Sequence, residues 1–208
     1  MATIKGSWKT NTINALKHTA QQFGTVQEMI AEAFWNSICY LNPGQVKARV
    51  NVVIRKNEIS IEDNSRGMTS DILSDRFFCL YPDVVREKYD RNRYGNGVKS
   101  ASAGIAETIM VDTYHDNARS ICTANFADPE FVIKTSKERH RNGTLIVVKN
   151  LKVKDINPKV IEEYVRVKFR FKLNDHDIFI NNQRLKYADP PAQYEKTYKG
   201  KHPMYGAV

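Results

Sequence analysis

Two polar side chains interrupt an otherwise apolar helical pattern near the start of the chain. Apolar residues recur at three- and four-residue steps through the stretch 27–40, QEMIAEAFWNSICY, which predicts a helix with one face in a core. Glu32 and Asn36 are four residues apart and therefore project from one side of that helix, with Cys39 a turn further along. A carboxylate there can polarise a water, and an amide oxygen suits Mg²⁺. The same spacing also fits the solvated edge of an amphipathic helix.

A second acidic site follows a predicted β-hairpin. Alternating apolar residues from 46 to 61 predict two strands joined by a turn at 56–58, and the second strand runs into the sequence EDNSRGM. Asp63, at the end of this strand, can accept a hydrogen bond from the exocyclic amine of adenine. Gly67 would let the backbone approach the base. The alternative interpretation is an ordinary Asp-Asn-Ser turn.

A glycine-containing stretch predicts a third site, for phosphate. The run Tyr94-Gly95-Asn96-Gly97 precedes small residues that begin a helix, so backbone N–H groups and a helix N-terminus would face the same point. Lys99 adds a positive charge one turn into that helix. The spacing differs from that of the P-loop, and G-x-G alone is a weak signal. The preceding residues 70–94 lack a clear period, which predicts either a surface excursion or a mobile lid.

Further patterns predict the elements that position these sites. Thr25 is expected to cap the central helix, with Glu28 closing a capping box. Thr144 begins an apolar strand, where its hydroxyl can reach a base or a bound water, although threonine is also an ordinary strand former. The other predicted elements are a first helix over 12–23, strands at 108–114, 120–126, 131–135 and 143–148, a last helix over 156–171 and a closing hairpin at 178–185.

Composition limits the class of protein. A chain of 208 residues with 41% hydrophobic content predicts one domain with one substantial core. The absence of a long apolar run predicts a soluble, intracellular protein that does not contact a membrane. The cysteines fit a reducing compartment better than a disulfide framework or a zinc site, because they are three and widely spaced. The net charge of +9 favours an acidic partner such as nucleic acid, or a phosphate-rich ligand.

The order of these motifs resembles that of the GHKL or Bergerat-fold ATPases, a group that includes gyrase B subunits, heat-shock chaperones, MutL proteins, sensor histidine kinases and MORC ATPases. The shared motifs are E-x-x-x-N-S, D-N-x-x-G-M, Y-G-N-G-x-K-S and N-G-T, and the third most resembles the MORC branch. The resemblance implies an α+β two-layer sandwich, with a mixed, mostly antiparallel sheet covered on one face by helices. It implies an ATPase domain over 12–187 with an ATP lid at 70–104, a possible dimerisation arm at 1–24 and a loose tail at 188–208.

The resemblance also implies a role for each matching residue. Glu32 would be the general base, and Asn36 would hold Mg²⁺. Asp63 would recognise adenine, with support from Thr144. Two residues would line the base pocket, Gly67 and Met68. The phosphates of ATP would be wrapped by the run Tyr94, Gly95, Asn96, Gly97, Val98, Lys99 and Ser100.

Three departures from the family pattern leave two functions open. Cys39 stands where an aspartate is frequent, Ser65 replaces a first glycine, and Asn92 replaces the first glycine of the lid motif. One function is slow, Mg²⁺-dependent ATP hydrolysis, with nucleotide-driven lid closure and homodimerisation and with activity that can need a further domain or a partner. The other is a non-hydrolysing module that senses nucleotide or binds nucleic acid. A histidine kinase ranks third, because no phosphoacceptor-histidine helix pair is visible in the sequence.

Overall fold

The structure is a computed structural model that describes residues 14–15, 18, 20–21, 24–79, 97–128 and 130–187 and the backbone of 201–202 and 206–207. Its helices form one of two layers. Residues 14–15, 18 and 20–21 are helical, and the rest of the predicted first helix lies outside this description. No helix of the described residues is long and apolar enough to cross a membrane. The described helices are α1 (Val26–Cys39), α2 (Ser70–Ile72), α3 (Gly97–Ile105) and α4 (Pro158–Phe169), with a π-helical turn at Leu73–Phe77 after α2.

The described strands are β1 (Arg49–Arg55), β2 (Glu58–Asp63), β3 (Ala106–His115), β4 (Ala118–Asn125), β5 (Val132–Lys137), β6 (Gly143–Leu151), β7 (Asp177–Ile180), β8 (Gln183–Arg184), β9 (Lys201–His202) and β10 (Gly206–Ala207). Eight of them form one sheet in the order β5-β4-β3-β6-β2-β1-β7-β8. All neighbouring strands in it are antiparallel except β1 and β7, which are parallel. A separate two-residue ladder joins β9 and β10.

The core lies between the sheet and the helices. Alternate residues of β1, β2 and β3 are buried because the side-chain period of a strand is two, whereas β6 also buries consecutive residues at 146–148. The helices bury their apolar stripes against the same side of the sheet, which confirms the predicted α+β two-layer sandwich. The largest contributors to this core include Met29, Ile30 and Phe34 from α1, Ile105 from α3, Ile161 from α4, and Val50, Ile59, Ile109 and Ile178 from the sheet.

The ends of the helices follow the predicted caps in part. The Thr25 side chain accepts a hydrogen bond from the Glu28 N–H at 3.1 Å, which confirms the N-cap of α1. The Glu28 carboxylate does not return to close a capping box, because it bonds Tyr164 and Lys168 on α4 instead. The N-terminal turn of the sandwich's central helix is thus held by two kinds of contact, a local cap from Thr25 and a contact between helices from Glu28.

Candidate functional site

The carboxylate of Asp63 lies where β2, α1 and β6 meet. Oδ1 accepts hydrogen bonds from the N–H of Ser65 at 2.9 Å and from the N–H of Thr144 at 3.2 Å. It also accepts one from the Ser65 hydroxyl, and Oδ2 accepts from Ser37 Oγ at 3.1 Å. Burial raises the pKa of the Asp63 carboxyl, while these hydrogen bonds oppose that shift by stabilising the charged form. The side chain is therefore held in one orientation by three separate parts of the chain.

Sequence reasoning did not assign the two serines that hold Asp63 to the site. Ser65 was noted only as a departure from the family pattern, yet it makes two of the hydrogen bonds. Ser37 follows Asn36 in the helix motif, but its hydroxyl is also 2.8 Å from the Ala33 carbonyl oxygen. A hydroxyl has a single proton, so Ser37 donates to one of its two acceptors at a time. The pairing of Ser37 with Asp63 depends on how the helix lies on the sheet, and local sequence does not show it.

Asn36 offers an amide on the same helix, next to Ser37. Its side chain is half-buried and has no hydrogen-bond partner among the described residues. An unengaged amide oxygen is a hard ligand, and Mg²⁺ commonly takes only one or two protein ligands beside phosphate and water oxygens. The donor chemistry of Asn36 therefore fits the predicted role of a single protein ligand for Mg²⁺.

Glu32, one turn before Asn36, contacts the start of α3. A Cβ added to Gly97 would lie 2.8 Å from Glu32 Cδ and closer still to Oε2, so the backbone of α3 lies directly on the carboxylate and a larger residue would displace it. Burial raises the pKa of the Glu32 carboxyl, the Lys168 ammonium opposes that shift, and Glu28 adds to it. The contact brings together two residues that are 65 positions apart in the numbering of the chain.

The loop after β2 is fixed against β3. Gly67 has a φ of +70°, and a Cβ there would lie 2.7 Å from the carbonyl carbon of Tyr114 and closer to its oxygen, so only glycine fits. The Met68 N–H donates to Thr113 Oγ1 at 2.9 Å, and the Thr113 hydroxyl lies 3.1 Å from that of Thr144. Sequence reasoning missed Thr113. Its signal was a hydroxyl at an inward-facing position of a strand whose other inward positions are apolar.

The predicted phosphate-binding run is described only in its second half. Tyr94, Gly95 and Asn96 lie outside the described residues, as does Asn92. Val98 packs in the core. The side chain of Ser100 is fully buried, and its hydroxyl has no hydrogen-bond partner in the part of the chain that the structure describes. A buried hydroxyl without a partner is uncommon in folded proteins.

Lys99 is directed toward the segment that follows α2. Its ammonium donates hydrogen bonds to the carbonyl oxygens of Arg76, at 3.1 Å, and of Cys79. The residue is 4% exposed, and burial lowers the pKa of Lys99 to about 8. The lysine that was predicted to carry charge at the phosphate site thus links the start of α3 to the beginning of the predicted lid.

A comparison with known protein families identifies the family of the chain. Residues 24–159, more than half of the 208-residue chain, match the model of a family described as Histidine kinase-, DNA gyrase B-, and HSP90-like ATPase. The chain belongs to this ATPase family. None of the curated proteins matches it significantly.

Membership of this family supports ATP binding and hydrolysis as the general activity of the domain. The described contacts between Glu32 and Gly97, and between Asp63, Ser37 and Thr144, all lie within the matched residues. Most of α4 and the strands β7 and β8 lie beyond residue 159. The contacts made by residues 160–169 of α4 in this ATPase domain are therefore outside the family match.

Proposed function

We propose that the protein binds ATP at the end of β2 and hydrolyses it slowly in a Mg²⁺-dependent reaction. The observation that carries this proposal is that α1 contacts both parts of the site. It contacts the end of β2 through Ser37 and Asp63. It contacts the start of α3 through Glu32 and Gly97. A carboxylate held in a fixed orientation can accept a hydrogen bond from the adenine amine. Gly67, Met68 and Thr144 would line or support the base pocket.

The reaction would be divided among residues of α1 and α3. Glu32 would take a proton from the attacking water, and a carboxyl pKa raised by burial suits a general base that works near neutral pH. Asn36 would hold Mg²⁺, which when bound supplies positive charge beside the phosphates. Backbone N–H groups of Gly95 to Ser100 would bind the phosphates, with the unpartnered hydroxyl of Ser100 facing a phosphate oxygen.

The finer features of the proposal concern regulation. Nucleotide would close the 70–104 lid, and the contact between Lys99 and the Arg76 carbonyl is one link between the two ends of that segment. Closure would promote homodimerisation through residues 1–24. The run from Tyr94 to Ser100 favours the MORC-type branch of the family. Sedimentation with and without a non-hydrolysable ATP analogue tests the dimer, because a monomer at every concentration would exclude it.

The central test compares matched pairs of variants. Glu32→Gln should abolish turnover with little loss of nucleotide affinity, whereas Glu163→Gln, an exposed position on α4, should behave as wild type. Asp63→Asn should weaken binding of a non-hydrolysable ATP analogue, and the exposed neighbour Glu62→Gln should not. Binding is measured by calorimetry and turnover by phosphate release. Turnover by Glu32→Gln at the wild-type rate would reject Glu32 as the base.

A second candidate function is that of a non-hydrolysing module that senses nucleotide or binds nucleic acid. A cluster of exposed cations lies on the edge strand β5 and in the loop that follows it, at Lys134, Lys137, Arg139 and Arg141. Clustered cations bind phosphate backbones and release counterions, so affinity would fall steeply with salt. Replacing these four residues by glutamine should flatten the salt dependence of binding to a DNA duplex. An unchanged salt dependence would reject this surface.

A further inference from the structure

A cavity of about 370 Å³ lies between α1 and the C-terminal end of α4. Glu32 and Trp35 line it from α1, and Lys168 and Lys172 line it from α4 and the turn after it. The two lysines follow residue 159 and thus lie beyond the family match. Two cations from outside the family match therefore line the same cavity as the carboxylate proposed as the general base.

Lys168 is held in place by two partners. Its ammonium lies 2.8 Å from Glu28 Oε2 and 3.1 Å from the Tyr164 hydroxyl, and that hydroxyl donates to the other oxygen of Glu28. The side chains of Lys168 and Glu28 are 36% and 32% exposed, so the pair is partly shielded from solvent. Charges in such a setting act over a longer range than a fully exposed pair, because screening is weaker.

Among the described residues, the charged groups that face Glu32 come from α1 itself and from α4 with the turn that follows it. Glu28 lies one turn earlier on α1, and Lys168 and Lys172 lie across the cavity. On the α3 side the neighbour is Gly97, while the ammonium of Lys99 is directed to backbone carbonyls after α2. Glu32 has no hydrogen bond or ion pair of its own within the described residues. Its ionisation is therefore sensitive to the fixed pair of Glu28 and Lys168.

We propose that Lys168 is a positioning residue for the reaction, which acts through its charge to keep the Glu32 carboxylate ionised at the start of α3. This inference rests on the proposed role of Glu32. Glu28 and Tyr164 fix the ammonium of Lys168. The Glu28 carboxylate disfavours ionisation of Glu32, whereas the Lys168 ammonium favours it. The balance between Glu28 and Lys168 therefore sets the acidic limit of activity. Burial raises the pKa of Glu32, with Lys168 opposing the shift and Glu28 adding to it. The competing explanation is that the pair only ties α4 to α1.

Two variants that break the same ion pair separate these explanations. Lys168→Met and Glu28→Gln both remove the contact between α1 and α4, so a purely structural role predicts similar effects. The electrostatic role predicts opposite ones. The acidic limb of the pH profile of kcat should move up by roughly half a pH unit or more in Lys168→Met and down in Glu28→Gln. Lys168→Arg, which keeps the positive charge, should show the same acidic limb of the pH profile as wild type. Lys159→Met, which removes an exposed cation of α4 outside this cavity, is the control and should leave the acidic limb unchanged.

A titration of the nucleotide-free protein tests the inference without a measurement of turnover. The ¹³C shift of the Glu32 carboxyl, assigned by its loss in Glu32→Gln, reports the pKa of Glu32 in each variant. The same pKa in wild type, Lys168→Met and Glu28→Gln would overturn the inference even if ATP is hydrolysed. Turnover by Glu32→Gln at the wild-type rate would instead reject Glu32 as the base, and with it the catalytic meaning of Lys168, whereas a wild-type protein that neither binds nor hydrolyses ATP would overturn the proposed function. Lys168→Gln replaces the methionine variant if the latter does not fold.

Discussion

Ser37 Oγ lies 3.1 Å from Asp63 Oδ2, and this contact joins the last turn of the sandwich's central helix to the end of an interior strand. Glu32, which meets Gly97, is five residues earlier on the same helix. A rise of 1.5 Å per residue puts these two positions roughly 7.5 Å apart along the helix axis. Helix α1 therefore sets the spacing between the proposed adenine contact and the proposed base, and changes at either contact should be measurable separately.

Ser37→Ala should weaken nucleotide binding by roughly 3- to 10-fold, because the Asp63 carboxylate loses a donor that fixes its orientation. The free energy of unfolding should fall by about 1 kcal/mol. Calorimetric titration with a non-hydrolysable ATP analogue and urea unfolding measure the two effects. The control is Ser136→Ala on the exposed edge strand, which should change neither. Equal nucleotide affinity in Ser37→Ala and wild type would show that this contact does not serve the site.

Gly67→Ala should destabilise the fold by about 3 kcal/mol or more, because its Cβ would overlap the Tyr114 carbonyl and its φ is +70°. The matched control is Gly44→Ala. Gly44 has a similar φ of +78° but nothing within 4 Å of an added Cβ, so it should cost only about 1 kcal/mol. Chemical unfolding of both variants separates the steric cost from the backbone cost. Equal losses in the two would contradict the close approach of this loop to β3.

Ser100→Ala should leave the stability of the nucleotide-free protein unchanged or slightly raised, because the buried hydroxyl has no partner there among the described residues. Nucleotide affinity should nevertheless fall several-fold. Ser102→Ala provides the contrast, since the Ser102 hydroxyl donates to the Val98 carbonyl at 2.7 Å within the helix. That variant should not change affinity. A loss of stability without a loss of affinity in Ser100→Ala would mean that the hydroxyl has a structural role.

The burial of Lys99 should make the free energy of unfolding depend on pH. Its pKa in the folded protein, about 8, is below the ordinary lysine value, so the unfolded chain keeps its proton to higher pH. Stability contributed through this group therefore rises with pH above about 8. Relative to Lys99→Met, wild type should gain on the order of 2 kcal/mol between pH 7.5 and pH 10. Lys159→Met, an exposed control, should show no such change. A constant difference between wild type and Lys99→Met would contradict the burial of a charged ammonium.

Much of the fold could be predicted from local patterns. The three- and four-residue spacing predicted α1, and the alternation from 46 to 61 predicted the hairpin of β1 and β2. The ends of strands were less predictable. The strand that starts at Gly143 was expected to end at 148 but continues to Leu151, because Leu151 pairs with Ala106 of β3. A strand ends where its partner ends, and a single segment of sequence contains no information about its partner.

The sequence alone determined which chemical groups this protein carries, in which order, and on which kind of element. It identified Glu32, Asn36 and Asp63 because helix and strand periodicities act over a few residues. Only the tertiary structure decided the partners: Ser37 with Asp63, Thr113 with Thr144, and Lys168 with Glu28. These residues meet because burial of apolar surface and strand register bring distant segments together, and the resulting side-chain contacts depend on packing across the whole domain.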